Sequence, residues 1–406
     1  MTSCSGLADY EWLTGSEAAE ILTDLAGRNE PLHLTANRLR HMVSAARAHL
    51  MLDQVELRGR AAAKFVRAAE MFFTRLGLEQ ATDQWVAGYK ATRFAAVGPV
   101  ADLCCGIGGD LLALAVGRNV TGVDRDPIVA HFAAANARVS GVNANVEAAN
   151  LANFELGEFA AWHIDPDRRP MGKRTASLDW SSPSREAVEG LIAAVPHAAI
   201  KLAPAAEVPP EWSSKCELEW ISRGRQCRQL VAWFGELAKS PSQCRATVLT
   251  TDGKPLRSVV GQPREFVPIA RQLERFLFEP DPAVLAAKLT GALAAELHLA
   301  AVSAGIPYLT AGAAIEDPAI ACFEVEEVLP LQLKQLAKHL RSRSIGQLEI
   351  KKRGVDHDPQ VVRKQLQLQG NEVATLLLTK LNGKHVTILA RRIARGPQPG
   401  SLSPES

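Results

Sequence analysis

No two of the seven cysteines stand in a CxxC arrangement. Their odd scatter, at 4, 104, 105, 216, 227, 244 and 322, supports neither a disulfide framework nor a zinc site. Reduced thiols in a cytoplasmic protein are the expectation. Long apolar runs are also missing. The longest stretch, 283–304, is interrupted by Lys288, Glu296 and His298, whereas a membrane span needs roughly 20 residues almost free of charge. It therefore reads as a buried helix, and no membrane partner and no metal are expected. The opening MTSCSGLADYEWL carries early acids and no apolar core of the kind a secretory signal needs. Neither end shows a lipidation box, and no segment repeats another. Overall charge is nearly absent too, at +2 from 46 basic and 44 acidic side chains.

That balance hides an asymmetry. From Leu331 to Arg395 fourteen lysines and arginines face only Glu349, Asp356, Asp358 and Glu372, a formal +10, so the remainder carries −8. Such polarity suggests that the tail meets a polyanion, nucleic acid above all. Aromatic residues are nearly missing there, which argues against base stacking by the tail and for reading of backbone and shape. At 406 residues and 47% hydrophobic content, the chain can fill two or three cores.

Residues 1–97 read as a helical region, rich in Ala, Leu, Arg and Met between Ser44 and Phe73. From Pro99 short apolar strands alternate with helix-like stretches. Strands are expected at Val100–Cys105, Val120–Val123, Asn145–Ala149, Ala160–Ile164 and Ala198–Leu202, with helices at Asp110–Val116 and Ile128–Ser140. That alternation predicts an α/β domain over 98–278, a parallel sheet with helices on both faces. Gln229–Phe234 and Arg245–Thr250 are expected to close it as a hairpin. A helical connector is predicted over 279–330, beginning with Glu279–Ala301. A small basic α+β domain follows over 331–395, with helices at Leu331–Arg343 and Gln360–Leu366, a strand at Gln347–Lys351, and a hairpin around Asn382-Gly383. Residues 396–406 have a disordered composition.

The most informative string is Val100-Ala-Asp-Leu-Cys-Cys-Gly-Ile-Gly-Gly-Asp110. A strand runs into a glycine turn and on into a helix, and Gly106 and Gly108 allow close backbone approach to a ligand. The dinucleotide fingerprint GxGxxG fails at its third glycine, where Leu111 stands. An acid, Asp102, precedes the turn instead. This D-x-x-x-G-x-G-G string resembles class I S-adenosylmethionine-dependent methyltransferases. The resemblance implies a Rossmann-like seven-stranded methyltransferase sheet and S-adenosylmethionine as cofactor. It also implies that Asp102 helps hold the methionine ammonium, with Gly106, Gly108 and Gly109 forming the cradle. Asp124, ending the strand Val120-Thr-Gly-Val-Asp, would accept from both ribose hydroxyls. Arg125 would lie near the adenine, and Asn150, where the family often places an acid, near its amino group. Thr82, beside Asp83, resembles the helix-capping threonine that sits near the methionine carboxylate.

The fourth strand ends in Asp165-Pro-Asp-Arg-Arg-Pro170, which resembles the first half of the [DNS]-P-P-[YFW] motif of amino-group methyltransferases. There the first side chain and the first proline carbonyl orient the target nitrogen, which is catalysis by positioning. Asp165 and Pro166 take those places. Asp167 and Arg168 replace the second proline and the aromatic, so Arg168 or Arg169 is the candidate to stack on a base or hold phosphate. The similar DPPR of uracil-C5 methyltransferases needs a cysteine after the next strand, but Ala199-Ile-Lys-Leu-Ala-Pro204 has none. His163 reads as a satisfied core histidine, and Cys104 and Cys105 as small buried side chains.

The tail, through Ile345–Gly354, Val361–Leu366 and the hairpin to Ala394, resembles the THUMP-like domain that closes a group of bacterial class I methyltransferases. By analogy with THUMP domains that present tRNA, it implies RNA handling, with Lys351, Lys352 and Arg353 as the phosphate contacts. The expected function is methylation of a base nitrogen in tRNA or rRNA. Two rivals stay open: a non-catalytic RNA-binding or assembly factor with a retained cofactor pocket, and a small-molecule or protein methyltransferase.

Overall fold

The computed structural model describes residues 6–28, 32–167 and 181–393. It divides into two units, Met1–Glu217 with Gln229–Ser242, and Leu218–Arg228 with Gln243–Ser406.

The first unit opens with six helices: α1 (Leu7–Leu13), α2 (Ser16–Gly27), α3 (Leu32–Met42), α4 (Ala45–Ala61), α5 (Arg75–Gln80) and α6 (Gln84–Ala91). Side chains start three of them, Ser44 for α4, Thr74 for α5 and Asp83 for α6, each accepting an otherwise orphaned backbone N–H. Their apolar faces bury Leu22, Met51, Leu57, Phe65 and Phe73 together with Phe132 and Ala135. Two buried amides fix this packing. Gln54 exchanges two hydrogen bonds with the backbone of Phe73, and Asn136 donates to the carbonyls of Phe72 and Ile107.

Five parallel strands follow: β1 (Val100–Leu103), β2 (Val120–Asp124), β3 (Ala144–Ala148), β4 (Ala161–Ile164) and β5 (Ala198–Leu202). Between and after them run α7 (Leu111–Leu114), α8 (Pro127–Ser140), α9 (Arg185–Ala194) and α10 (Pro210–Ser213). Strands β1, β4 and β5 are buried along their whole length, as sheets covered on both faces require. Next come β6 (Glu217–Arg223) and β7 (Gln226–Trp233), joined by Gly224-Arg225, both left-handed at φ 60° and 59°. The order in this unit is β3-β2-β1-β4-β5-β7, with β7 antiparallel to β5.

In the second unit β8 (Cys244–Leu249) runs parallel to β6 and antiparallel to β9 (Pro255–Gly261). Strands β1–β9 thus exceed the seven expected, and the expected 229–234/245–250 hairpin does not form. The tight turn lies at Gly224-Arg225, while the ten residues after β7 hold a 3-10 turn, Gly235–Leu237, in place of a hairpin loop.

A second sheet has the order β11-β12-β10-β13-β16-β15-β14. Its strands are β10 (Phe276–Pro280), β11 (Ala300–Ala301), β12 (Leu309–Ala311), β13 (Ile320–Pro330), β14 (Ile345–Lys352), β15 (Glu372–Leu381) and β16 (Lys384–Arg392). Helices α11 (Pro282–Ala286), α12 (Thr290–Leu297), α13 (Leu333–Ser342) and α14 (Pro359–Leu366) complete the unit. The stretch expected as a helical connector holds α11 and α12 as helices and then the strands β11, β12 and β13. Lys288 and His298 turn left-handed and stop α11 and α12, and the alternating Ile-Ala-Cys-Phe-Glu-Val run of β13 has a strand period. The Asn382-Gly383 hairpin turn forms as expected, at φ 48° and 76°. Leu336, Leu340, Val362 and Leu366 of α13 and α14 pack on one sheet face with Leu348, Leu376 and Leu389. Tyr308, Phe323, Leu377 and Ile388 pack on the other. Among the described residues no helix is long and apolar enough to cross a membrane.

Candidate functional site

The loop after β1 bends through three left-handed residues, Cys104 at φ 52°, Gly106 at 57° and Gly108 at 93°. The two glycines take this torsion freely, whereas Cys104 pays for it. Gly109 is favoured by packing, because a Cβ there would sit 3.1 Å from the backbone N and O of Thr82. Beside Gly106 the situation reverses: a Cβ would meet no atom within 4 Å. The loop is pinned from behind and open in front, the shape of a cradle for a ligand.

Parallel strands place the flanking acids at their C-terminal ends, where α/β sheets bind ligands. Asp124 accepts from the backbone N–H of Gly106 and of Asp126, both at 3.0 Å. Burial raises its carboxyl pKa, and those two N–H groups partly offset the rise. Asp102 receives His163 Nδ1 on Oδ1 at 2.7 Å. Its Oδ2 is buried with no hydrogen-bond partner among the described residues. An ammonium group is the natural complement of that orphaned oxygen, so the residues present fit S-adenosylmethionine. Arg125 is exposed and reaches Ser182 Oγ at 3.2 Å, while Asn150 caps the 3-10 turn Leu151–Asn153 through Ala152 N–H. Thr82 is not the cap of α6, which is Asp83. The Thr82 hydroxyl donates to Asp110 Oδ2 at 2.6 Å instead.

That contact ends a buried polar chain beneath the loop. Lys90 Nζ lies 2.6 Å from Asp110 Oδ1 and 3.2 Å from His163 Nε2, and His163 in turn meets Asp102. Burial depresses the Lys90 pKa, with Asp110 opposing. For Asp110 burial acts upward, yet Lys90, His163 and Lys201 together hold its carboxyl well below the ordinary range. For Asp102 burial wins over His163, and the pKa rises. His163 is the partnered core histidine its sequence position suggested. Lys90 was missed, although a lysine among Val86, Ala87 and Ala91 on a helix with a buried face was a readable signal.

At the end of β4, Asp165 Oδ2 meets Lys201 Nζ at 2.5 Å, and that ammonium also donates to the Gln80 carbonyl at 3.1 Å. Lys201 projects from the fully buried strand β5 and was likewise missed, its sole trace being a cation inside Ala-Ala-Ile-Lys-Leu. Pro166 is buried. Asp167 exchanges two backbone hydrogen bonds with Ser182 at 2.9 Å and accepts from Gln80 Nε2 at 3.3 Å. Arg168 and Arg169 lie outside the described residues. The structure thus brings Asp102, Gly106, Asp124 and Asp165 to the ends of the adjacent strands β2, β1 and β4.

In the second unit the basic triplet is largely spoken for. Lys351 Nζ lies 2.6 Å and Arg353 Nη2 3.1 Å from Glu279, a nearly buried acid on β10. Lys352 is half-buried.

Comparison with known proteins places these observations. The THUMP domain-like family matches residues 320–392, a range that begins with β13. Proteins classed as S-adenosylmethionine-dependent methyltransferases in two strains of Mycobacterium tuberculosis are 28% identical over 365 residues, covering 86% of this chain and 98% of theirs. A structure assigned as a methyltransferase from Porphyromonas gingivalis matches with a TM-score of 0.73 at 21% identity, over 87% of this chain and 92% of that one. With its glycine cradle and strand-end acids the chain is similar to S-adenosylmethionine-dependent methyltransferases over 86% of its length, and its C-terminal sheet carries the match to the THUMP domain-like family.

Proposed function

We propose that this enzyme methylates a base nitrogen in RNA. The observation that carries the reading is Asp165: a carboxylate at the tip of β4, beside the glycine cradle of β1, held by Lys201 through one oxygen. When bound, S-adenosylmethionine supplies an electrophilic methyl group on a sulfonium. Asp102 would hold the methionine ammonium, Asp124 the ribose hydroxyls, and Arg125 and Asn150 the adenine, while the α6 N-terminus, with Thr82 before it, would attract the methionine carboxylate. Asp165 Oδ1 and the Pro166 carbonyl accept hydrogens from the target amino group and aim its lone pair, so the gain is mainly one of orientation. As the N–C bond forms, the methyl–sulfur bond would break with its electron pair left on sulfur, and the proton the nitrogen loses would pass to the Asp165 carboxylate and then to water. Arg168, assigned from the sequence alone, is the candidate to stack on the base or hold a neighbouring phosphate. The THUMP-like domain docks the RNA, a role supported by its charge: thirteen basic against seven acidic residues over 320–392 leave +6.

The test is incubation of the enzyme with tritiated cofactor and undermodified total RNA, followed by nucleoside analysis. Label should appear in an N-methylated nucleoside, and Asp165→Ala should lose transfer by about 1000-fold, the scale of a lost transition-state contact, while cofactor affinity stays put. Cofactor binding without any methyl incorporation would point to the non-catalytic RNA-binding factor. Label entering protein or small molecules, with none in RNA, would overturn the substrate class.

A further inference from the structure

The THUMP-like sheet spends most of its paired cations internally. Glu279 takes Lys351 and Arg353, Glu326 and Glu327 take Arg343, and Glu349 takes Arg392. A different group of arginines is displayed. Arg275, just before β10, and Arg391, on β16, both bond to the one carboxylate of Glu324 on β13, at 2.8 and 2.5 Å. Their side chains remain 67% and 66% exposed. One negative charge cannot neutralise two guanidinium groups, so a positive charge with outward N–H donors is left on this face.

Beside Arg275 lies an open groove of about 680 Å³, lined by Arg271, Gln272, Leu273, Glu274, Arg275 and Gly312. Arg271 is exposed and has no ion-pair partner among the described residues. Gly312 keeps one wall bare of side chain, with only Glu274 Oε2 near its missing Cβ, at 3.0 Å. Five residues before Arg271 in the chain stands Phe266, 83% exposed, the most exposed large hydrophobic residue described. Its loop is tied down nearby by hydrogen bonds between Ala301 N–H and Pro268 O, and between Ala270 N–H and Ala301 O. Arginines along a groove suit phosphate oxygens, and an exposed ring suits an unstacked base.

We propose that the groove of Arg271, Arg275 and Arg391, with Phe266, is the site where the second unit holds single-stranded RNA. This rests on the RNA reading above, and it moves the contact away from Lys351–Arg353. Glu274 is the opposing charge in the groove and sets its selectivity against weaker polyanions.

The test is fluorescence anisotropy of the full chain with a fluorescein-labelled single-stranded RNA of mixed sequence, across a salt series. Phe266→Ala should weaken binding about tenfold, the scale of one lost base stack. Arg271→Ala and Arg391→Ala should each lower the slope of log affinity against log salt by about 0.7. Glu274→Gln should tighten binding several-fold, a gain that a damaged fold would not produce. Lys351→Ala serves as the contrasting variant. Unchanged RNA affinity in the Phe266, Arg271 and Arg391 variants, with the wild type binding well, overturns the site and leaves the RNA reading standing. A wild type that binds no RNA even at low salt overturns both.

Discussion

Lys90 and Asp110 meet at 2.6 Å with side chains 2% and 7% exposed, whereas Arg343 meets Glu326 at 2.8 Å with 37% and 32% exposed. The distances are alike and the surroundings are not. In the methyltransferase unit the charges are sealed beneath the cofactor loop, where removing one leaves the other stranded in a poor solvent. In the THUMP-like sheet water stands in for any lost partner. Sealed charges fix the positions of Asp102 and Thr82 to within a hydrogen bond. Wet charges can be re-paired, which suits a surface that must accept and release a polyanion.

The sharpest way to break this contrast is Lys90→Met. Methionine keeps the unbranched apolar stem, one atom shorter, but leaves Asp110 buried without the Lys90 ammonium, a loss of about 3–5 kcal/mol, read from urea unfolding. A change below about 1 kcal/mol would mean that the chain beneath the loop is as replaceable as a surface pair.

The cradle should respond through binding more than through stability. Gly106→Val places a β-branched residue at φ +57°, a torsion that costs roughly 1–2 kcal/mol, and pushes methyl groups into the open front of the loop. Calorimetric titration with S-adenosylmethionine should show affinity reduced at least tenfold. Affinity equal to wild type would remove Gly106 from the cofactor site.

Acid sensitivity separates the two acids of the buried chain. The Asp110 carboxyl is held below its unfolded pKa, so its contribution to stability is complete above about pH 4 and drains away as the pH falls further. Asp102 has a raised pKa and works the other way, since protonation there favours the folded state. Melting temperature should therefore fall between pH 5 and 3 in the wild type, with a shallower slope in Asp110→Asn and a steeper one in Asp102→Asn. Parallel slopes in all three proteins would contradict these opposite shifts.

What could be read beforehand follows the same division between local and distant causes. The glycine turn, the parallel strands and the Asn382-Gly383 hairpin are local: torsion needs and residue period are written in consecutive residues. Asp124 and Asp165 were legible because a strand end and an acid coincide. Lys201 was opaque, because its partner Asp165 lies 36 residues upstream and no pattern links them. The pairing within the basic tail was opaque for the same reason. Charge counting registers Lys351 and Arg353, but the acid that claims them, Glu279, stands 74 residues before Arg353. Counting also began at Leu331, cutting away β13 and the acids Glu324, Glu326 and Glu327 that the sheet pairs with its arginines. The hairpin expected after β7 failed because β propensity names strands without naming their neighbours.

The smallest effect tests the other side of the contrast. Arg343 reaches both Glu326 and Glu327, at 2.8 and 2.7 Å, a geometry that on paper rivals the buried pair. Its exposure argues otherwise. Water can hydrate all three groups once the arginine is gone, and ordering a long side chain offsets much of the attraction. Arg343→Ala should therefore cost under about 1 kcal/mol, and what it costs should shrink further in 0.5 M salt, since exposed charges are screened there. A loss of Lys90→Met size, insensitive to salt, would mean that these carboxylates are desolvated in solution and that the THUMP-like sheet is held by the same sealed electrostatics as the methyltransferase unit.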